Sequence, residues 1–447
     1  MNASTNPFAL AARFSVLLGL IARAAWIYLQ LVLDARGRWK RDPARLVEIQ
    51  RRFAARFADV AVRFKGGLIK IGQVASLRID VLPAEVSDEL ARLQDRVDPH
   101  PVAEIEDQIE RTLGAPVNEL FARFDSEPIA AASLGQVHEA ELAGGDRVAV
   151  KVLYPEVERS VAVDLVALRI GLWLFDFVTV ADLGLVYKEI RDSIEGEMDY
   201  EQEGRAAEEV AANLARDVLV AERVRIPRIY WERTGQRVLT MEFIDGHKIN
   251  EREALEAQGI DIGELATWAT RAFLHMIFRD GFFHCDPHPG NILVDREGRI
   301  GIIDFGMHKR VSPEVMKMLR ENMAATATRD AERYAKAFLE AGMIAPGDVS
   351  TVEEIARLQF SDEYWNLTPK EAASIDMAEY IGRMREHLGN VSTFRLPEGL
   401  VMWGRAITLL VGLATELAPG IRPLEIVGPY VFAFLQEGMT AQPPSAS

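Results

Sequence analysis

Three oxygen-bearing side chains stand close together in the segments Phe283-His-Cys-Asp-Pro-His-Pro-Gly-Asn-Ile-Leu-Val and Ile302-Ile-Asp-Phe-Gly. They are Asp286, Asn291 and Asp304. An Asp-x-x-x-x-Asn spacing followed by Asp-Phe-Gly matches the few parts that phosphoryl transfer requires. Those parts are a carboxylate at the acceptor and hard oxygen donors for Mg²⁺. Mg²⁺ keeps several of its waters, so one amide and one carboxylate are enough to hold it. Two Asp-containing turns that merely cap strands do not account for three elements in this order. The chemistry also needs a cation on the phosphates, and Lys151 in Arg147-Val-Ala-Val-Lys-Val-Leu is placed to supply it. That stretch alternates as a strand does, and Gly144-Gly145-Asp146 ahead of it reads as a hairpin turn. Such a lysine needs a carboxylate to hold it. Glu197-Met-Asp-Tyr-Glu-Gln-Glu203 offers two, Glu197, the preferred one, and Glu203, and the sequence alone leaves the choice between them even.

The elements that must position these groups can be read coarsely. Residues 1–115 read as helices: Leu46 to Phe57 follows a 3.6-residue period, as does the series Val86, Leu90, Leu93, Val97. Pro43, Pro83, Pro99 and Pro101 punctuate the region. Residues 158–215 are again helical. Two strand candidates follow, Arg225 to Trp231 and Arg237 to Ile244. Beyond Gly246 the chain reads as helix to its end, apart from an island at 283–306 with short strands on either side of Gly298. The segment 442–447 reads as a disordered tail.

Composition narrows the classes. Of 447 residues, 49% are hydrophobic and 26% charged, which supports a large core and excludes general disorder. With 51 basic and 67 acidic residues the net charge is −16, so the chain has no overall pull towards nucleic acid. The single cysteine, Cys285, excludes internal disulfides and cysteine-rich metal sites and suits a reducing compartment. The first 58 residues run against the average, with ten basic residues to three acidic. They contain the apolar run Phe8 to Leu33, interrupted by Arg13 and Arg23. An arginine near mid-span costs about 2.5–3.5 kcal/mol on insertion scales, which disfavours a crossing. Two readings stay open: a helix lying in a membrane interface, helped by Trp26, Tyr28 and the basic residues behind them, or a helix packed on its own domain.

Taken together, these motifs resemble the UbiB/AarF-like atypical kinases, the ADCK or Coq8 group, over roughly residues 45–435. Two further signatures carry the resemblance. One is Lys70-Ile-Gly-Gln73, followed by Arg78, Asp80, Pro83 and Leu93-Gln-Asp95, which looks like the KxGQ motif. The other is Pro128-Ile-Ala-Ala-Ala-Ser-Leu-Gly-Gln-Val-His, alanine-rich where protein kinases are glycine-rich. Glycines give phosphates unhindered backbone N–H groups, whereas Ala130, Ala131 and Ala132 restrict that freedom. The resemblance implies an α+β, bilobal protein-kinase-like fold. Its parts are a helical N-terminal extension (1–115), a small β-containing N-lobe (116–245) and a mostly helical C-lobe (246–440).

The resemblance further implies ATP and Mg²⁺ as cofactors. Asp286 becomes base or water-orienting carboxylate, Asn291 and Asp304 the metal ligands, and Lys151 the phosphate lysine positioned by Glu197. Ala130, Ala131, Ala132 and Ser133 line the nucleotide, and Glu242 and Ile244 the adenine. Lys70 and Gln73 sit on a helix that acts as a regulatory lid, with Lys70 pairing an acidic residue near Lys151. A lid there excludes a bulky protein substrate and favours ATP hydrolysis, or transfer to something small or lipidic. The Asp286-Pro-His-Pro-Gly-Asn loop points the same way, since it is similar to that of aminoglycoside and choline kinases. No Ala-Pro-Glu follows Asp304-Phe-Gly306, and His284 reads as a loop brace. UbiB proteins end in two transmembrane helices. Here the apolar stretch Ala406 to Thr415, ten uncharged residues, is expected to be a buried helix too short to span. The expected setting is cytoplasmic, peripheral at a membrane.

Overall fold

The computed structural model describes residues 7–35, 43–76, 89–90, 93, 99–175, 183–361, 398–418, 432 and 434–435. The chain divides into two compact units: Met1–Glu208 with Pro227–Phe243, and Glu209–Ile226 with Ile244–Ser447. One carries a four-stranded sheet behind a set of N-terminal helices, and the other is mostly helical. This is the α+β, kinase-like class expected from the sequence.

In the first unit, helices α1 (Pro7–Ala35), α2 (Pro43–Phe64), α3 (Gly67–Ser76) and α4 (Val102–Leu113) come before the sheet. The sheet is antiparallel and runs β1 (Arg123–Ala131), β2 (Gly135–Glu141), β3 (Arg147–Leu153), β5 (Val238–Glu242). Strand alternation sorts β3: Val148, Val150 and Val152 are wholly buried on one face, which leaves Lys151 on the other. Helices α5 (Val157–Phe175), α6 (Leu183–Gly196) and α7 (Tyr200–Leu214) follow β3. On α7 the stripe Tyr200, Glu203, Ala207, Val210, Leu214 is buried, the spacing of one helix face.

Helix α1 resolves one open reading. Arg13 does not face outward: its guanidinium donates to both carboxylate oxygens of Asp164 on α5, at 2.6 and 2.5 Å, and to the carbonyls of Phe64 and Lys65. Leu17 and Leu20 are buried beside it, while Phe8 is 84% and Trp26 55% exposed. The helix therefore packs on its own unit through one face and shows an apolar face outward. Residues Pro7–Gln30 are long and apolar enough to cross a membrane.

In the second unit, α8 (Val218–Arg223) is capped by Asp217, whose carboxylate accepts the N–H groups of Leu219 and Val220. It leads into β4 (Val224–Arg225). A mixed sheet runs β4, β9 (Ile300–Ile302), β8 (Ile292–Asp295), β6 (Gly246–Lys248), and a separate pair joins β7 (Phe282–His284) to β10 (His308–Arg310). Helix α9 (Ile262–Leu274) continues into a π-helical turn, His275–Asp280, and stops at Gly281 with φ 61° before β7. Helices α10 (Pro313–Thr328), α11 (Ala331–Glu340), α12 (Val349–Gln359) and α13 (Glu398–Leu417) complete the described part. Ala406, Leu410, Leu413, Ala414 and Leu417 form the buried face of α13, as expected for the 406–415 stretch.

The differences from the sequence reading are local. The strand expected at 225–231 ends after Arg225, because Pro227 has no N–H to donate to a ladder; a single bridge at Ile229 and a 3₁₀ turn at Trp231–Arg233 replace the rest. Ala130 and Ala131 lie in β1 and pair with Val137 and Gln136, so the alanine-rich loop is mostly strand. Strands β6, β7 and β10 have three residues each, too few to show alternation in the sequence. Val86, Val97, Arg78, Asp80, Pro83, Asp95, the basic residues Arg36 to Arg41 and the tail 442–447 lie outside the described residues.

Candidate active site

In the second unit, two hairpins gather the carboxylates and the amide. In the β8–β9 pair Ile292 faces Ile302, and the N–H of Ile303 donates to the carbonyl of Asn291 at 3.0 Å. Asn291 and Asp304 therefore leave the hairpin at the same end. In the β7–β10 pair His284 faces His308, and the Cys285 N–H donates to the Met307 carbonyl at 2.8 Å. That pairing ties the loop holding Asp286 to the Asp304-Phe-Gly306 turn. The Asn291 side-chain N–H donates to the Asp286 carbonyl at 3.3 Å, and Asp304 accepts the Gly306 N–H at 3.0 Å.

Histidines brace this loop. The Nδ1 atom of His288 accepts the Gly290 N–H at 3.1 Å and caps the turn Pro289–Asn291. The His284 ring, fully buried, reaches the Met307 carbonyl at 2.9 Å, and the His308 ring reaches that of Phe305 at 2.8 Å. Burial holds the His308 pKa below the usual imidazole value, which favours a neutral brace. Cys285, next to Asp286, is only 2% exposed and makes a poor thiol handle.

The donor set fits Mg²⁺. Asn291 and Asp304 present hard oxygens at one hairpin end, and water would complete the shell. Among the described residues no cluster of three or more His, Cys, Asp or Glu side chains forms an all-protein cage.

In the first unit, Lys151 donates to both oxygens of Glu203, at 2.7 and 2.9 Å, and lies 5.2 Å from the centre of the Tyr200 ring. Glu203 is 2% exposed. The expected order of partners is thus reversed: Glu203 holds Lys151, and Glu197 pairs with Lys70 of α3. The reason lies in helix geometry. Glu203 is one turn into α7, on the buried stripe that begins at Tyr200, whereas Glu197 sits in the turn after α6. The spacing Tyr200, Glu203, Ala207, Val210 was the signal in the sequence that could have selected Glu203.

Close approach explains two glycines. A Cβ at Gly135 would come 2.5 Å from the Val152 carbonyl and 2.6 Å from the Tyr200 hydroxyl. A Cβ at Gly72, inside the KxGQ segment, would collide with Leu93 and crowd Phe57 of α2. Lys70 and Gln73 share α3, but the Gln73 side chain lies outside the described residues.

The remaining expected nucleotide residues are spread over both units. The Ala132 N–H donates to the Gly135 carbonyl at 2.8 Å and closes the β1–β2 turn, and Ser133 is buried within it. At the end of β5 the Glu242 N–H donates to the Arg228 carbonyl at 2.8 Å. The chain passes from the first unit to the second between Phe243 and Ile244, and Ile244 is buried against Gly301. The sequence reading missed the Arg13–Asp164 pair altogether, since it links residues 151 positions apart.

Fold and site together define a protein of the kinase-like class. The family model described as the ABC1 atypical kinase-like domain matches residues 92–338, and the chain belongs to that family, the ABC1/UbiB atypical kinases. It is 36% identical over 401 residues to Protein ACTIVITY OF BC1 COMPLEX KINASE 8, chloroplastic, of Arabidopsis thaliana, covering 82% of this chain and 52% of that protein. It is also 36% identical over 286 residues to the Probable protein kinase UbiB of Marinobacter nauticus, covering 62% of this chain and 52% of that one. The chain spans about half the length of these two relatives. Among solved structures, that of Rv3197 with erythromycin, from Mycobacterium tuberculosis, aligns with a TM-score of 0.49 at 24% identity, over 80% of this chain and 90% of that one.

Proposed function

We propose that this chain is an ATP-dependent enzyme of the UbiB type, hydrolysing Mg-ATP in the service of isoprenoid- or quinone-related lipid metabolism, at the cytoplasmic face of a membrane. The observation that carries the reading is the convergence of Asp286, Asn291 and Asp304 through two hairpins. In this reading Lys151 holds the phosphates and Glu203 keeps its ammonium in place. Asn291 and Asp304 bind Mg²⁺, and Asp286 orients the attacking water. The Mg²⁺ ion, when bound, neutralises charge on the phosphate oxygens. Ala130, Ala131, Ala132 and Ser133 serve the nucleotide, and Glu242 and Ile244 the adenine. Lys70, anchored by Glu197, acts with Gln73 as the regulatory element. The exposed apolar face of α1 supplies the membrane contact.

Phosphate release from labelled ATP by the purified protein, with lipid vesicles present, tests the proposal against an Asp304→Asn control. Release no greater than that of the control refutes turnover. Label appearing on an acceptor instead of free phosphate identifies a small-molecule or protein phosphotransferase. Nucleotide-dependent stabilisation with no release identifies a non-catalytic nucleotide-binding scaffold.

A further inference from the structure

The first unit contains a cavity of about 310 Å³ that no part of the phosphoryl-transfer chemistry uses. Its walls come mainly from four helices, with Leu17 and Ile21 of α1, Phe57 of α2, Ile71 of α3 and Leu168 of α5 as representatives, and Leu90 adds to them. Among the described residues the only ionisable side chain at the wall is Asp164, and both its oxygens accept from Arg13. Close-packed proteins seldom leave apolar space of this size unfilled, and this pocket is open on one side rather than sealed. This one is roughly twice the size of an apolar cavity, about 150 Å³, that stays dry and takes up benzene. It also falls within the range of small-ligand pockets, about 300–1,000 Å³.

The chemistry of the walls selects the occupant. A polar molecule would surrender its hydrogen bonds to water and find no partner inside, so the guest must be hydrocarbon. Helix α1 selects its source. Leu17, Leu20 and Ile21 face the cavity, while Val16, Leu18, Trp26 and Leu29 on other faces of the same helix are exposed. Burying Arg13 against Asp164 removes a charge from that outer surface. The helix is therefore apolar towards the cavity and, apart from the exposed Arg23 and Ser15, largely apolar towards solvent, and it is long enough to lie along a bilayer. From this we infer that the open-sided cavity between α1, α2, α3 and α5 binds one hydrocarbon chain of a membrane lipid, drawn from the bilayer on which the outer face of α1 rests.

The test uses the full chain without nucleotide, so its outcome is independent of ATP turnover. The probe is cis-parinaric acid, a fluorescent fatty acid. Ala167 of α5 and Ala54 of α2 line the cavity and are buried, so Ala167→Leu and Ala54→Leu each place a larger side chain in it. Saturable uptake of one probe per chain is expected, weakened at least tenfold in each leucine variant whose thermal midpoint matches or exceeds that of the parent. Absence of saturable uptake by the parent, or unchanged uptake by a folded leucine variant, overturns the site. Trp26→Ser with Leu29→Ser addresses the source. This variant should bind free probe as the parent does, yet extract parinaroyl chains from phosphatidylcholine vesicles several-fold more slowly. Equal extraction rates overturn the bilayer as the source.

Discussion

The two units hold their candidate functional side chains in opposite ways. In the second, Asp286, Asn291 and Asp304 lie within one short stretch, and backbone ladders set their positions: β7 with β10, and β8 with β9. In the first, Lys70, Lys151, Glu197 and Glu203 come from α3, β3, the turn after α6 and α7, and two ion pairs hold them. Backbone pairing fixes a side chain's origin almost regardless of what the side chain is. A buried ion pair depends on both partners, because removing one strands a charge away from water. The side with the proposed metal ligands should therefore tolerate substitution structurally, and the lysine side should not.

The sharpest way to break this contrast is to remove one group from each unit. Asp304→Asn and Lys151→Met should each lower ATP turnover by about a hundredfold or more, the scale on which a single electrostatic contributor acts. Only Lys151→Met should also lower unfolding stability, by about 3 kcal/mol, since buried Glu203 then loses the ammonium that donates to both its oxygens. Denaturant titration of both variants checks this, and equal stability losses would dissolve the distinction between the units.

Within the first unit the two pairs should differ. Glu203→Gln removes the more deeply buried carboxylate and should cost about 3 kcal/mol together with most of the turnover. Glu197→Gln acts on a pair open to some solvent and should cost about 1 kcal/mol. If Glu197→Gln proves the more damaging to turnover, Glu197 and not Glu203 positions Lys151 during reaction.

The Arg13–Asp164 pair gives a smaller, pH-dependent effect. Burial raises the Asp164 pKa to about 6 in spite of Arg13, so the folded protein takes up a proton in the pH 4–6 window while the unfolded chain does not. By linkage its contribution is greatest below that window and is lost as pH rises through about 6. Between pH 4 and 6, stability of the parent relative to Asp164→Asn should fall with rising pH, by at most about 1.4 kcal/mol per unit. A difference flat across that range would show that Asp164 remains ionised throughout.

The smallest expected effect is at Cys285. Buried between β7 and Asp286, its thiol should react with a thiol reagent only on opening of the fold, and Mg-ATP should change the rate little beyond its effect on stability. Fast labelling that Mg-ATP abolishes would place the thiol at an open surface.

The spacing of Asp286, Asn291 and Asp304, the alternation around Lys151 and the apolar face of α13 were legible from the residues alone. In each case the information is local: one hairpin, one strand, one helix period. The choice of Glu203 over Glu197 was half legible, because the buried stripe of α7 is written in the sequence but the competing claim of Lys70 on Glu197 is not. The inward turn of Arg13, the need for glycine at positions 72 and 135 and the apolar cavity behind α1 were decided by packing between distant segments. Chain order constrains neighbours through torsion angles and periodicity. Which remote groups meet, and what space they leave between them, is settled only when the helices dock.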